Sequence, residues 1–197
     1  MSAGAVLSAP LLRPTDGGWL EVALSDLDAT LCDHFHCERK AASSALSLVR
    51  FYSHRIDLVR ALSRLAHEET RHMLQVLARL EHRGLVVRRD RGDTYAAALR
   101  REVRSGEPDR QLDMLLVSGL IEARSAERLA LLGKALRDPG LAELYLTLAA
   151  AELRHRDLFF GLARPVGSAA AVERRLAALT ALEGDVVAAL PIESRIH

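Results

Sequence analysis

Two Glu-x-x-His pairs, Glu69 with His72 and Glu152 with His155, and two further glutamates, Glu38 and Glu122, are the residues whose types and spacing could do chemistry. Glu and His three apart on a helix project from one face about a turn apart, so they can ligate one ion or two neighbouring ions. A single pair of this kind arises by chance in a chain of this composition. Two pairs at matched distances from a preceding Glu, 31 positions from Glu38 to Glu69 and 30 from Glu122 to Glu152, do not arise so readily. The repeat predicts a pseudo-twofold site. Four carboxylates buried without partners would carry a large desolvation cost and repel one another. Two divalent ions offset that charge, and four carboxylates with two imidazoles make an oxygen and nitrogen set that iron accepts. The expectation is two irons, with Glu38 and Glu122 as terminal ligands and Glu69 and Glu152 free to bridge. Which carboxylate bridges stays open.

Positioning these groups requires helices, because all six interrupt apolar seams that step by four and three residues. Leu31, Phe35, Glu38, Ala42 and Ala45 form one seam; Leu62, Leu65, Glu69, His72 and Val76 form a second. Leu115, Gly119, Glu122, Ala126 and Leu129 form a third, and Tyr145, Leu148, Glu152, His155 and Phe159 a fourth. Ser25 with Asp28 resembles a capping signal for a first helix reaching Tyr52, and a second runs from Ile56 to Arg83, stopped by Gly84. Residues 85–107 form a crossover with a short helix near Thr94 to Arg104. Pro108 opens a third helix, Asp138-Pro139-Gly140 separates it from a fourth, and the fourth ends near Ala163. An amphipathic stretch from Ser168 to Leu190 follows, its end blurred by Gly184. The predicted fold class is all-α: a ferritin-like four-helix bundle with a short helix in the crossover and an additional C-terminal helix. Residues 1–18 read as a loose lead-in, 19–165 as the bundle and 166–197 as a helix packing on it.

Composition agrees with helices: about half the residues are apolar, only 4% are aromatic, and Ala, Leu, Arg and Glu dominate. A formal charge of +1 lacks the positive field of a general nucleic-acid binder. Cys32 and Cys37 are the two cysteines, and their side chains point differently from one helix, so no disulfide is expected and a reducing compartment fits. Charges interrupt every apolar run, so a soluble cytoplasmic protein without membrane association is expected. Glu68 and His67 rotate off the second seam and read as solvated or supporting groups. Glu127 reads as a supporting or salt-bridging residue, Cys37 as a small packed residue, and His34, His36 and His54 as surface residues.

The segments Cys37-Glu38-Arg39-Lys40-Ala41-Ala42, Glu68-Glu69-x-x-His72 and Ile121-Glu122-Ala123-Arg124-Ser125-x-Glu127-Arg128 resemble the bacterial tRNA 2-methylthio-isopentenyladenosine hydroxylase family. The resemblance runs over roughly residues 20–163, departs at Ala126, where many relatives have cysteine, and gives nothing usable beyond residue 165. It implies hydroxylation of the isopentenyl side chain of a modified adenosine beside the anticodon, with dioxygen as oxidant. It also implies an electron donor such as a ferredoxin with its reductase, and a monomer or small oligomer. Between Arg83 and Arg110, eight arginines face five acidic residues, so Arg88, Arg89, Arg91, Arg100, Arg101 and Arg104 are candidates for tRNA phosphates; a solvated Arg-rich face is the competing reading. A ferroxidase or iron-storage bundle would use the same six ligands and stands as the alternative function. A rubrerythrin-like peroxidase would need a further Cys-rich iron site, which two cysteines five apart do not supply.

Overall fold

The computed structural model describes residues 11–197, so residues 1–10 of the expected lead-in lie outside the described residues. Seven α-helices follow: α1 (Gly17–Ser25), α2 (Leu27–Phe51), α3 (Ile56–His82), α4 (Thr94–Arg101), α5 (Asp109–Ala135), α6 (Pro139–Ala163) and α7 (Ala169–Ala189). A 3₁₀ turn, Arg164–Val166, joins α6 to α7. Short polar side chains set the starts. Asp26, Asp93, Asp138 and Ser168 each accept a hydrogen bond from a backbone N–H of the first turn they cap. The cap of α2 is therefore Asp26, and Ser25 instead closes a separate helix that periodicity did not reveal. Gly84, at φ +70°, ends α3 in the left-handed conformation that glycine adopts without a Cβ penalty. Gly184 does not break α7, because a helix held by packing tolerates one glycine.

α2 pairs with α3 and α5 with α6, and the two hairpins meet along α3 and α6. Gly119 lets α5 and α6 approach closely: a Cβ there would sit 2.4 Å from the Phe160 ring. α4 and α7 lie over α5, and α1 packs on α2 and α5. The supposed lead-in is not loose where it is described, since Thr15 is buried on Glu127 and Gly17 and Gly18 open α1.

Two apolar clusters fill the bundle. One contains Leu58, Leu62, Leu65, Leu115, Leu120 and Phe159; the other contains Leu31, Val76, Leu80, Leu129, Tyr145 and Leu148. Each fully buried leucine contributes on the order of 1.5–3 kcal/mol. Along each of the four long helices, the metal-type residues fall between a stretch belonging to one cluster and a stretch belonging to the other. A single polar layer is thus clamped between two dry ones. Among the described residues, no helix is long and apolar enough to cross a membrane.

Candidate metal centre

All six seam residues meet in that layer, and each is at least 94% buried. They fall into two overlapping groups whose potential ligand atoms lie within 4.8 Å of one another: Glu38, Glu69, His72 and Glu152, and Glu69, Glu122, Glu152 and His155. Glu69 and Glu152 belong to both groups, while Glu38 and Glu122 each belong to one. The arrangement is two overlapping half-sites, each with the ligands one ion would need, sharing two carboxylates. His72 Nδ1 lies 3.3 Å from Glu69 and 3.7 Å from Glu38; His155 Nδ1 lies 2.8 Å from Glu69 and 3.7 Å from Glu152.

Several of these atoms converge without bonding. Glu69 Oε1, Glu152 Oε1 and both nitrogens of His155 are buried and make no aligned hydrogen bond, although His155 Nδ1 and Glu69 Oε1 almost touch. Buried polar atoms are nearly always satisfied. Carboxylate oxygens and imidazole nitrogens gathered within 4.8 Å of one another, several of them unbonded, are what a pair of cations needs, so the donor set fits two divalent ions.

The protonation equilibria show the same shortage of positive charge. Burial, followed by the charges of Glu152, Glu69 and Glu38, pushes the Glu122 carboxyl well above its ordinary range. Burial also raises Glu69, against the nearby His155 and His72, which favour its charged form. Burial works to lower both histidines, but the carboxylates overcome it: His72 rises to about 9 through Glu38 and Glu69, and His155 to about 11 through Glu152 and Glu69. Protons thus supply some of the cationic charge that bound ions would bring.

Of the residues flanking the six, sequence reading takes Glu68 as a solvated or supporting group but misses His34. His34 is 1% exposed, stacks on Tyr145 and places Nε2 2.7 Å from Glu38 Oε1. It is no surface residue; its position one turn before Glu38 was the available signal. Glu68 lies behind both ligand histidines, Oε1 3.8 Å from His72 Nε2 and Oε2 3.3 Å from His155 Nε2, and is itself held by Arg154. A carboxylate near each Nε2 favours the proton there, which would leave Nδ1 for a bound ion.

The site opens into a cavity of about 50 Å³ between α2, α4 and α5, lined by Glu38, Glu122, Glu152, Ser118, Phe159 and His197 among others. Beyond it lies a groove of about 490 Å³ that shares Lys40, Ser44, Arg100 and Ser118 with the inner cavity.

The chain matches the tRNA-(MS2IO6A)-hydroxylase (MiaE) family over residues 5–197. The chain belongs to that family. It is 41% identical over 184 residues to the tRNA 2-(methylsulfanyl)-N(6)-isopentenyladenosine(37) hydroxylase of Pseudomonas putida, covering 93% of this chain and 89% of that protein. The Salmonella typhimurium protein of the same description is 28% identical over 233 residues, covering 93% and 86%. A solved structure described as Protein 43 with aldehyde deformylating oxygenase activity, from Synechococcus, superposes with a TM-score of 0.92 at 40% identity, with 96% of each chain covered. The fold is ferritin-like, and the named activities are oxygenase chemistry, which sets aside the iron-storage alternative. Family resemblance extends through the tail beyond residue 165, where sequence reading had found none.

The arginines of the basic crossover do not form one patch. Arg88, Arg89 and Arg91 line a separate cavity of about 350 Å³ beside α1 and α2. Arg104 is held by Asp113 and Asp109, and Arg101 is exposed. Arg100 alone among the six lines the metal cavity. The Arg124-Ser125-x-Glu127-Arg128 segment ties residues from both the N-terminal and C-terminal parts of the described chain to the site helix. Arg124 pairs with Glu183 of α7, Ser125 meets His197, Glu127 holds Thr15, and Arg128 bonds the Ile196 carbonyl.

Proposed function

We propose that this protein hydroxylates the isopentenyl side chain of a 2-methylthio-modified adenosine next to the anticodon of tRNA, using dioxygen and electrons from an external donor. The observation that carries the reading is the buried Glu and His layer, whose two half-sites share Glu69 and Glu152 and open on a small cavity with a cationic mouth. Two irons, held by Glu38, Glu69, His72, Glu122, Glu152 and His155, would supply the activation of dioxygen that no side chain provides. The protein's own residues do the rest. Glu68 and His34 fix the ligand orientations, Phe159 and Ser118 line the cavity toward the reacting carbon, and the two apolar clusters keep bulk water from the layer. This reading carries with it a cytoplasmic location, a tRNA partner and an electron-donor protein such as a ferredoxin with its reductase.

The test is to load purified protein anaerobically with iron(II), add dioxygen, a reductant and tRNA carrying the methylthiolated isopentenyl nucleoside, and digest the tRNA for mass spectrometry. A gain of one oxygen atom on that nucleoside, with about two irons per chain from the two half-sites, is the expected result. One iron or none overturns the dinuclear centre. The Synechococcus relative favours a second reading, oxygen-dependent deformylation of an aldehyde, because it is as similar as the tRNA hydroxylase of Pseudomonas putida. Loss of the formyl group from an added aldehyde, with tRNA unchanged, would replace the first reading with the second.

A further inference from the structure

The inner cavity, at about 50 Å³, is about a third of the ~150 Å³ cavity known to accept benzene, so it does not hold a five-carbon branched chain as it stands. Something at its neck has to move. Between the inner cavity and the 490 Å³ groove, Arg100 of α4 donates from Nη2 to Ser44 Oγ of α2 at 3.0 Å, and both residues line both spaces. The outer groove has the size of an ordinary small-molecule site. Its floor is apolar (Leu48, Val103, Met114, Val117), and its rim carries Lys40, Arg100 and Arg110.

The three cations are not equivalent. Lys40 is paired with Asp93, and Arg110 leans over the Phe51 ring beside Glu107. Arg100, exposed, spends its hydrogen bond on a neutral hydroxyl, and no carboxylate among the described residues lies within ion-pair distance of it. A guanidinium in that condition exchanges a hydroxyl for a phosphate readily, because the phosphate brings an opposite charge and a second, parallel acceptor that a single neutral hydroxyl lacks.

We infer that Arg100 is a positioning residue that couples RNA backbone binding to opening of the metal cavity. This rests on the tRNA reading above. A purine nucleoside lies on the apolar floor of the α2–α5 groove, and a flanking phosphate draws Arg100 off Ser44. The neck between α2 and α4 then widens, and the nucleoside's branched apolar substituent enters toward Glu38, Glu122 and Glu152. The Arg88–Arg91 cluster, on the far side of α2's N-terminal half, does not border this path.

The experiment compares full-length wild type, Arg100→Ala, Arg100→Lys, Ser44→Ala and the triple Arg88→Ala/Arg89→Ala/Arg91→Ala variant. Binding of a fluorescent anticodon stem–loop is measured on metal-free protein across a salt series, and turnover on iron-loaded protein with tRNA and with the free modified nucleoside. Arg100→Ala is expected to weaken stem–loop binding about tenfold and to reduce the salt slope by about one, with Arg100→Lys recovering part of the loss. For tRNA, KM should rise more than kcat falls. Ser44→Ala, which frees the neck but keeps the cation, should bind the stem–loop at least as tightly as wild type and lower KM for the free nucleoside, which has no phosphate to open the latch. Wild-type affinity and slope in Arg100→Ala, with the loss appearing only in the triple variant, overturns the inference. So does a fall in melting temperature or iron content in both Arg100 variants, which would make the Ser44 bond a structural brace. If wild type hydroxylates neither tRNA nor nucleoside while stem–loop binding still depends on Arg100, the function proposed above fails and the binding role stands. If wild type hydroxylates tRNA and Arg100 is silent, only this inference fails.

Discussion

His34 belongs to neither candidate ligand group, yet it holds Glu38 from one helical turn away. A buried imidazole 2.7 Å from one carboxylate oxygen turns the other oxygen, Oε2, toward His72 and the shared carboxylates. Groups that orient a ligand in this way typically account for 10- to 100-fold in metal affinity. His34→Ala is accordingly expected to weaken iron binding within that range while far-UV circular dichroism stays helical; an unchanged iron titration would show that Glu38 is held by packing alone. His72→Ala and His155→Ala remove ligands outright and should each lower bound iron and abolish turnover. In the Glu68→Gln variant, which keeps the shape but loses the charge behind both Nε2 atoms, iron affinity should fall by less than in either histidine variant.

At the scale of elements, α7 is held to the bundle by a buried charge pair. Arg124 and Glu183 are both fully buried, their side chains meet at 2.8 Å, and Tyr95 of α4 donates to the same Glu183 oxygen. Such a pair is weak evidence for net stability, but removing one partner strands the other charge in a dry environment. Glu183→Ala is predicted to lower unfolding free energy by about 3–5 kcal/mol, measured by urea denaturation of the full chain. Replacing both partners together, as Arg124→Met with Glu183→Leu, should cost much less. Equal losses in single and double variants would mean that the helix docks through its apolar face, Val172, Leu176 and Leu179, and that the charges are incidental.

For the whole molecule, the polar layer makes stability depend on pH and metal together. Glu122, His72 and His155 hold protons in the metal-free fold that the unfolded chain releases at ordinary values of 4.5 and 6.5. Raised folded-state values mean that their contribution is complete below those ordinary values. It is lost as pH climbs through the folded values, about 9 for His72 and about 11 for His155. Glu38 is held below its ordinary value: burial opposes the shift, and His34 and His72 cause it. Its contribution therefore runs the other way, lost only as pH falls below 4.5. Metal-free protein should therefore melt at a lower temperature at pH 9 than at pH 6. Ions bound in the layer would replace those protons and prefer deprotonated ligands, so the gap between loaded and chelated protein should widen with rising pH and narrow on acidification. Calorimetry across that range checks both slopes. A metal-free melting temperature that does not fall with pH would show that the layer is solvated.

Periodicity alone determined the bundle. Glutamate and histidine interrupting apolar seams have few physical solutions, and helix geometry then brings Glu38, Glu69, His72, Glu122, Glu152 and His155 to one depth. Capping residues and breakers such as Gly84, Asp138 and Pro139 located most helix ends to within a residue or three, because those signals act locally. The sequence did not reveal α1, whose Trp19 is buried by Arg128 and the carbonyl of Arg195, 176 positions away. Nor did it reveal that His34 lies buried against Glu38, or that Arg100 borders the inner cavity while Arg88, Arg89 and Arg91 do not. Those facts depend on which helix lies across which gap. They are decided by how the two hairpins, the crossover and the C-terminal residues close over one another, and no spacing within a single helix encodes that.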